Sequence, residues 1–130
     1  MPLEDGNQLS NHRVAHKLRS LIREIHTRVS NQETLERVEE LLDQAQQLLD
    51  GPTRIKWYEV DVDVDEEIAH RLREEHRDYS LFRGESNPLA PPVSISKNED
   101  SEGKEVVVGE VCFDQTREGP PRTVHGGMIA

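Results

Sequence analysis

KEVVVGEVCFDQTREGPPRTVHGGMIA, residues 104–130, decides how the rest of the chain is read. Its first part, 104–115, is a valine-rich run that predicts a β-strand. A second β-rich run, VSISK at 93–97, stands just before it, separated by the turn-rich NEDSEG. That spacing predicts an antiparallel hairpin over 93–97 and 104–115, with Gly103 closing the turn. The loop TREGPPRTV then leads to His125-Gly126-Gly127, followed by apolar Met128, Ile129 and Ala130, which suit the first turn of a helix beginning at 126–127. Glycines let the backbone approach a ligand closely, and a first helical turn presents unpaired N–H groups. Such a turn can bind an anion or polarise a carbonyl as an oxyanion hole does. It can equally be a plain Gly-rich connection between strand and helix.

Working back towards the N-terminus, SNPLAPP (86–92) excludes helix, because its prolines force extended or turn backbone. In 13–29, Val14, Leu18, Leu21, Ile22, Ile25 and Val29 fall at helical spacing. Ser30 with Glu33 three residues on has a capping-box pattern. A second helix is predicted over 33–49, burying Leu35, Val38, Leu41, Leu42, Ala45, Leu48 and Leu49, and Gly51-Pro52 stops it. The two are expected to form a helical hairpin with facing stripes. Val60, Val62 and Val64 alternate with Asp61, Asp63 and Asp65, which predicts a short half-buried strand, and 65–77 follows as a short helix behind an acidic first turn.

Length and composition suit one ordinary domain with a small core: 130 residues, 33% hydrophobic and 32% charged. The formal net charge of −10 is spread as −3, −4 and −3 over 1–51, 52–78 and 79–130. With no basic face to displace counterions from phosphates, nucleic acid is excluded as a partner. No apolar run approaches the roughly 18 residues of a membrane span, and the N-terminus lacks a signal-peptide layout. A single cysteine, Cys112, rules out an internal disulfide and makes the cytoplasm the expected compartment.

Three weaker motifs carry no chemistry. The run Asp61–Asp65 opens like a calcium loop, but Glu66 and Leu72 stand where that loop needs Gly and Glu. His12 and His16 lie one helical turn apart without a third ligand at a convincing spacing, and read as exposed side chains on a polar face. Cys112 reads as a small buried residue in mid-strand.

NPLAPP, the hairpin and EGPPRTVHGGMIA together resemble the front half of hotdog-fold acyl-CoA thioesterases. The likeness is to the branch related to phenylacetate-degradation thioesterases, especially bacterial members with added N-terminal helices. It covers roughly 82–130 and rests on Glu118-Gly119-Pro120-Pro121, Val124-His125-Gly126-Gly127 and Ile129-Ala130. The resemblance implies an α+β fold in three parts: a helical hairpin over 1–51, a connector with strand and helix over 52–78, and the first part of a hotdog domain over 79–130. In that domain the His-Gly-Gly turn opens the central helix around which the sheet wraps.

The implied site follows residue by residue. The N–H of Gly126, with Gly127 in the same turn, polarises the thioester carbonyl, while His125 orients the substrate. Asn87, Arg117 and Arg122 are the candidate substrate-binding residues. The two arginines flank the Gly-Pro-Pro loop and could meet the phosphates of coenzyme A. The family's acidic base or nucleophile falls nine positions after the His, at position 134. The chain is therefore read as the N-terminal portion of a longer protein, inactive alone. Where the family often has Asn, six residues before the His, this chain has Gly119. Acyl-CoA is the implied substrate, with coenzyme A as leaving group rather than cofactor, and no metal or cofactor is implied. Sites at the interface of a homodimer or homotetramer are expected. The rival readings are a non-catalytic hotdog module that binds acyl groups or scaffolds an assembly, and a helical hairpin at 13–50 that serves for interaction.

Overall fold

The computed structural model describes residues 5–60, 63–91 and 93–128. Among them the architecture is α+β: helices α1 (Asp5–Thr27), α2 (Gln32–Leu48) and α3 (Glu66–Asp78), then an antiparallel pair, β1 (Val93–Glu99) and β2 (Glu105–Val111). Short 3-10 turns occupy Trp57–Glu59, Gln115–Arg117 and Gly126–Met128. No helix of the described residues is long and apolar enough to cross a membrane.

The hairpin is the element the sequence predicted, though β2 is shorter than expected. Val93 pairs with Val111, Lys97 with Val107 and Glu99 with Glu105. Asp100 builds the turn: its Oδ1 accepts from the N–H groups of Glu102 and Lys104, both at 2.9 Å. Gly103 takes φ +76° there, a left-handed conformation that costs glycine little. Beyond Val111 the backbone leaves the ladder because Asp114 caps a new turn. Cys112 is consequently exposed just past the strand end, not buried within it.

The helical hairpin does not form as expected. Asn31, not Ser30, caps α2, its Oδ1 accepting from Thr34 N–H at 2.8 Å. α2 buries none of its residues, and Leu35, Leu41, Leu42 and Leu48 are all exposed. α1 begins at Asp5, nine residues before Val14 opens its apolar stripe, and turns a different face inward: Ala15 is buried, while Val14 and Ile25 are exposed. Its partner is the Gln115–Arg117 turn, not α2. Leu42→Asp therefore places a charge in solvent, where surface substitutions cost within about 0.5 kcal/mol. Circular dichroism of the variant in dilute solution should match the parent, and a marked loss of helicity would restore the seam that the sequence suggested.

Nor is there a strand at 60–64. Val60 and Val64 lie in bends and Asp63 in a turn, while Asp61 and Val62 lie outside the described residues. Alternation alone supplies no neighbouring strand to bond with. α3 does match its prediction: Asp65 caps it through Glu67 N–H at 3.0 Å, Glu66 and Glu67 occupy its first turn, and Leu72 is buried.

After α3 the chain folds back on itself and onto α1. Gly84 N–H donates to Ser80 O (2.8 Å) and Ser86 N–H to Asp78 O (3.0 Å). A Cβ on Gly84 would stand 2.6 Å from Ser80 O, so only glycine fits this crossing. Ser86 and Ala90 are buried in the resulting loop. The Arg19 guanidinium sits inside it and donates to four backbone carbonyls: Ala90 at 3.1 Å, Gly84 at 3.2 Å, Glu85 at 3.0 Å and Asn87 at 2.8 Å. His12, two helical turns earlier, is 22% exposed rather than free in solvent; its Nε2 lies 2.7 Å from Asp78 Oδ1 and its Nδ1 3.2 Å from Glu85 Oε2. A polar clasp thus ties α1 to the 78–91 segment beside a small core of Ala15, Leu72 and Ala90.

Candidate functional site

The loop that presents His125 is built from its own hydrogen bonds. Asp114 begins it, its Oδ1 accepting from Thr116 N–H at 3.0 Å and from the Thr116 hydroxyl. Burial pushes the Asp114 carboxyl up, but the Thr116 bonds, with Arg117 and Arg23, outweigh this and hold it below the usual carboxylate range. A lowered folded pKa means that the stabilisation is present above the unfolded value of 3.8 and lost as pH falls through the folded value. Acidification below 3.8 should therefore loosen the 114–117 turn, seen as faster exchange of the Thr116 amide. Exchange at Thr116 that does not respond to pH beyond its intrinsic chemistry, or that behaves identically in Asp114→Asn, would contradict this.

Past that turn the chain closes a tight ring. Glu118 and Val124 form an antiparallel bridge, Gly119 N–H donates to Thr123 O at 2.9 Å and Thr123 N–H to Pro120 O at 3.0 Å. Arg122 sits at its tip with φ +63°, held by its N–H donating to Glu118 Oε1 at 3.0 Å. Gly119 lies against the incoming backbone: a Cβ there would stand 3.0 Å from His125 Cα. Any side chain in place of Gly119 would press on the His125 backbone.

His125, Gly126 and Gly127 come together, all exposed, at the start of the final 3-10 turn. His125 N–H donates to Arg117 O at 2.8 Å, fixing the turn to the ring. Gly127 N–H donates to His125 Nδ1 at 3.1 Å. That bond needs the Nδ1 lone pair, so in the neutral ring the proton is on Nε2, facing away from the backbone. Among the described residues the N–H of Gly126 has no hydrogen-bond partner. The two glycines are therefore not equivalent: one N–H is spent on the imidazole and the other is open. Ile129 and Ala130, expected to continue this turn as a helix, lie outside the described residues.

The three other candidate residues have separate surroundings. Arg117 donates to Leu89 O at 2.7 Å and to Thr116 Oγ1 at 3.1 Å, so its guanidinium pins the ring to the 84–91 loop. Arg122 is exposed and shares with Arg117, Glu118 and Val124 the lining of a shallow pocket of about 330 Å³. Asn87 stands apart from His125; its Nδ2 donates to Tyr79 O at 3.1 Å and its Oδ1 accepts from Leu89 N–H at 2.9 Å. Both ends of that amide are used in shaping the loop. Sequence reasoning missed Arg19 and His12, whose placement on one helix face at a spacing of seven residues was the available signal. Among the described residues no three His, Cys, Asp or Glu side chains group so as to hold a metal ion.

No family model matches this chain, and neither the curated proteins nor the solved structures yield a match.

Proposed function

We propose that this chain carries the carbonyl-polarising part of a hotdog-type acyl-CoA thioesterase, acting as a cytoplasmic homo-oligomer. The observation that carries the reading is the open N–H of Gly126 beside a His125 whose ring is oriented by Gly127. It joins the likeness of Gly119-Pro120-Pro121 and His125-Gly126-Gly127 to that family's motifs. In the reaction water adds to the thioester carbon, the C–S bond breaks, and the products are a carboxylic acid and the coenzyme A thiol. Negative charge grows on the carbonyl oxygen as water adds, and Gly126 N–H donates to it there. Its hydrogen bond strengthens with that charge, which lowers the barrier rather than merely tightening binding. His125 Nε2–H is a second donor for fixing the substrate. The resemblance puts the general base, a carboxylate, nine positions after His125.

Thiol release from a series of acyl-CoA thioesters tests this. Polypeptide continued past position 134 with an acidic residue there should turn over, and residues 1–130 alone should not. A folded, continued protein with that acid and no turnover on aliphatic or aromatic acyl-CoA would transfer the assignment to the non-catalytic module. That second reading draws support from α2, whose leucines are left exposed, as an assembly surface would be.

A further inference from the structure

A cleft of about 910 Å³ opens between α1 and the end of the hairpin where Val93 pairs with Val111. Four Lys or Arg side chains and two Glu line it, in a chain of net charge −10. Arg19 is committed to backbone carbonyls and Glu85 faces His12. Arg13, Lys17 and Arg83 then remain against Glu110. Arg13 donates to Ser10 Oγ at 3.0 Å, whereas Lys17 and Arg83 have no hydrogen-bond or ion-pair partner among the described residues. Arg13 and Lys17 stand four residues apart on one helix, an arrangement that repels unless an anion is shared between them.

Pockets that share lining residues also lead from this cleft to the 118–124 ring that precedes His125. Arg19 borders both the cleft and an adjoining pocket of about 260 Å³, and Arg117 borders that pocket and the one beside Arg122 and Val124. A long, thin ligand can lie along that surface. We propose that the cleft holds the phosphorylated end of the acyl-CoA, with Lys17, Arg83 and Arg13 meeting its phosphates. The identity of the ligand rests on the thioesterase reading; the polyanion chemistry rests on the cleft. The sequence offered Arg117 for this role, but its guanidinium is already held by Leu89 O.

Cys112 makes the test direct, since it is the single cysteine, is exposed and lines the cleft. Its alkylation by neutral iodoacetamide is followed with increasing adenosine 3′,5′-bisphosphate, which carries two of the three phosphates of coenzyme A but neither thiol nor acyl group. Saturable protection is expected. In Lys17→Gln/Arg83→Gln the concentration for half-protection should rise by about tenfold or more, and added salt should weaken protection of the parent. Lys104→Gln, at the far end of the hairpin, removes the same kind of charge and should change nothing. Absence of protection, or equal half-protection in the double variant with its helicity intact, overturns the proposal. A phosphate-free acyl-pantetheine thioester separates it from the parent reading. Turnover of that thioester by the continued protein, without bisphosphate protection, removes the cleft assignment and leaves the thioesterase. Protection that depends on Lys17 and Arg83, with no turnover of any thioester, overturns coenzyme A as the ligand.

Discussion

Arg19→Met should release the 84–91 loop from α1 and raise amide exchange at Ser86 and Ala90 by about a hundredfold. The guanidinium donates to four carbonyls, from Gly84, Glu85, Asn87 and Ala90, whereas Arg117 reaches the same loop at Leu89 O alone. Hydrogen bonds to a charged group each contribute roughly 1.5–3 kcal/mol. Methionine keeps the aliphatic packing, and water reaches carbonyls on the exposed side, so the sum is not lost in full. A local loss of about 3 kcal/mol is expected, equivalent to about two decades of exchange. Arg19→Lys should recover only part of this, because a compact ammonium cannot span a ring of acceptors as a planar fork does. Protection at Ser86 and Ala90 that survives Arg19→Met would mean that Gly84, the Asp78–Ser86 bonds, Asn87 and Arg117 hold the loop without Arg19.

That clasp also explains what the sequence could and could not reveal. The hairpin, α3 and the turn at His125 were legible because each is written locally: alternating β-branched residues around Asp100 and Gly103, an Asp65 cap, two adjacent glycines. The seating of α1 was not. Its apolar residues at 14, 18, 21, 22, 25 and 29 suggested one face, yet Ala15, His12 and Arg19 make the contacts. The partners of His12 and Arg19 are carbonyls and carboxylates 65–73 residues away, which no helical periodicity can announce. For the same reason Arg117 and Asn87 looked available for substrate when read in sequence, while in the fold both are engaged with backbone of the 79–89 segment. At the His125 turn the resemblance put the carbonyl on Gly126 with Gly127 beside it, and the bond from Gly127 to the imidazole, which no sequence pattern announces, leaves the Gly126 N–H as the open one among the described residues.

The open N–H of Gly126 is the centre of the functional account, and proline there deletes it while leaving the rest of the chain's chemistry in place. Loss of one oxyanion donor lowers kcat by about 10²–10³. KM should change little, because the bond is made chiefly as charge develops on the oxygen. Proline also restricts the residue before it, so alanine is the necessary companion. A Cβ on Gly126 meets nothing within 4 Å among the described residues, and alanine retains the N–H. The decisive measurement is kcat for acyl-CoA hydrolysis by the continued protein with Gly126, Gly126→Ala and Gly126→Pro, each with the His125 amide shift confirming the ring to Arg117. The account predicts near-parental turnover for alanine and a loss of about a hundredfold or more for proline; full turnover in a correctly folded Gly126→Pro protein would contradict it.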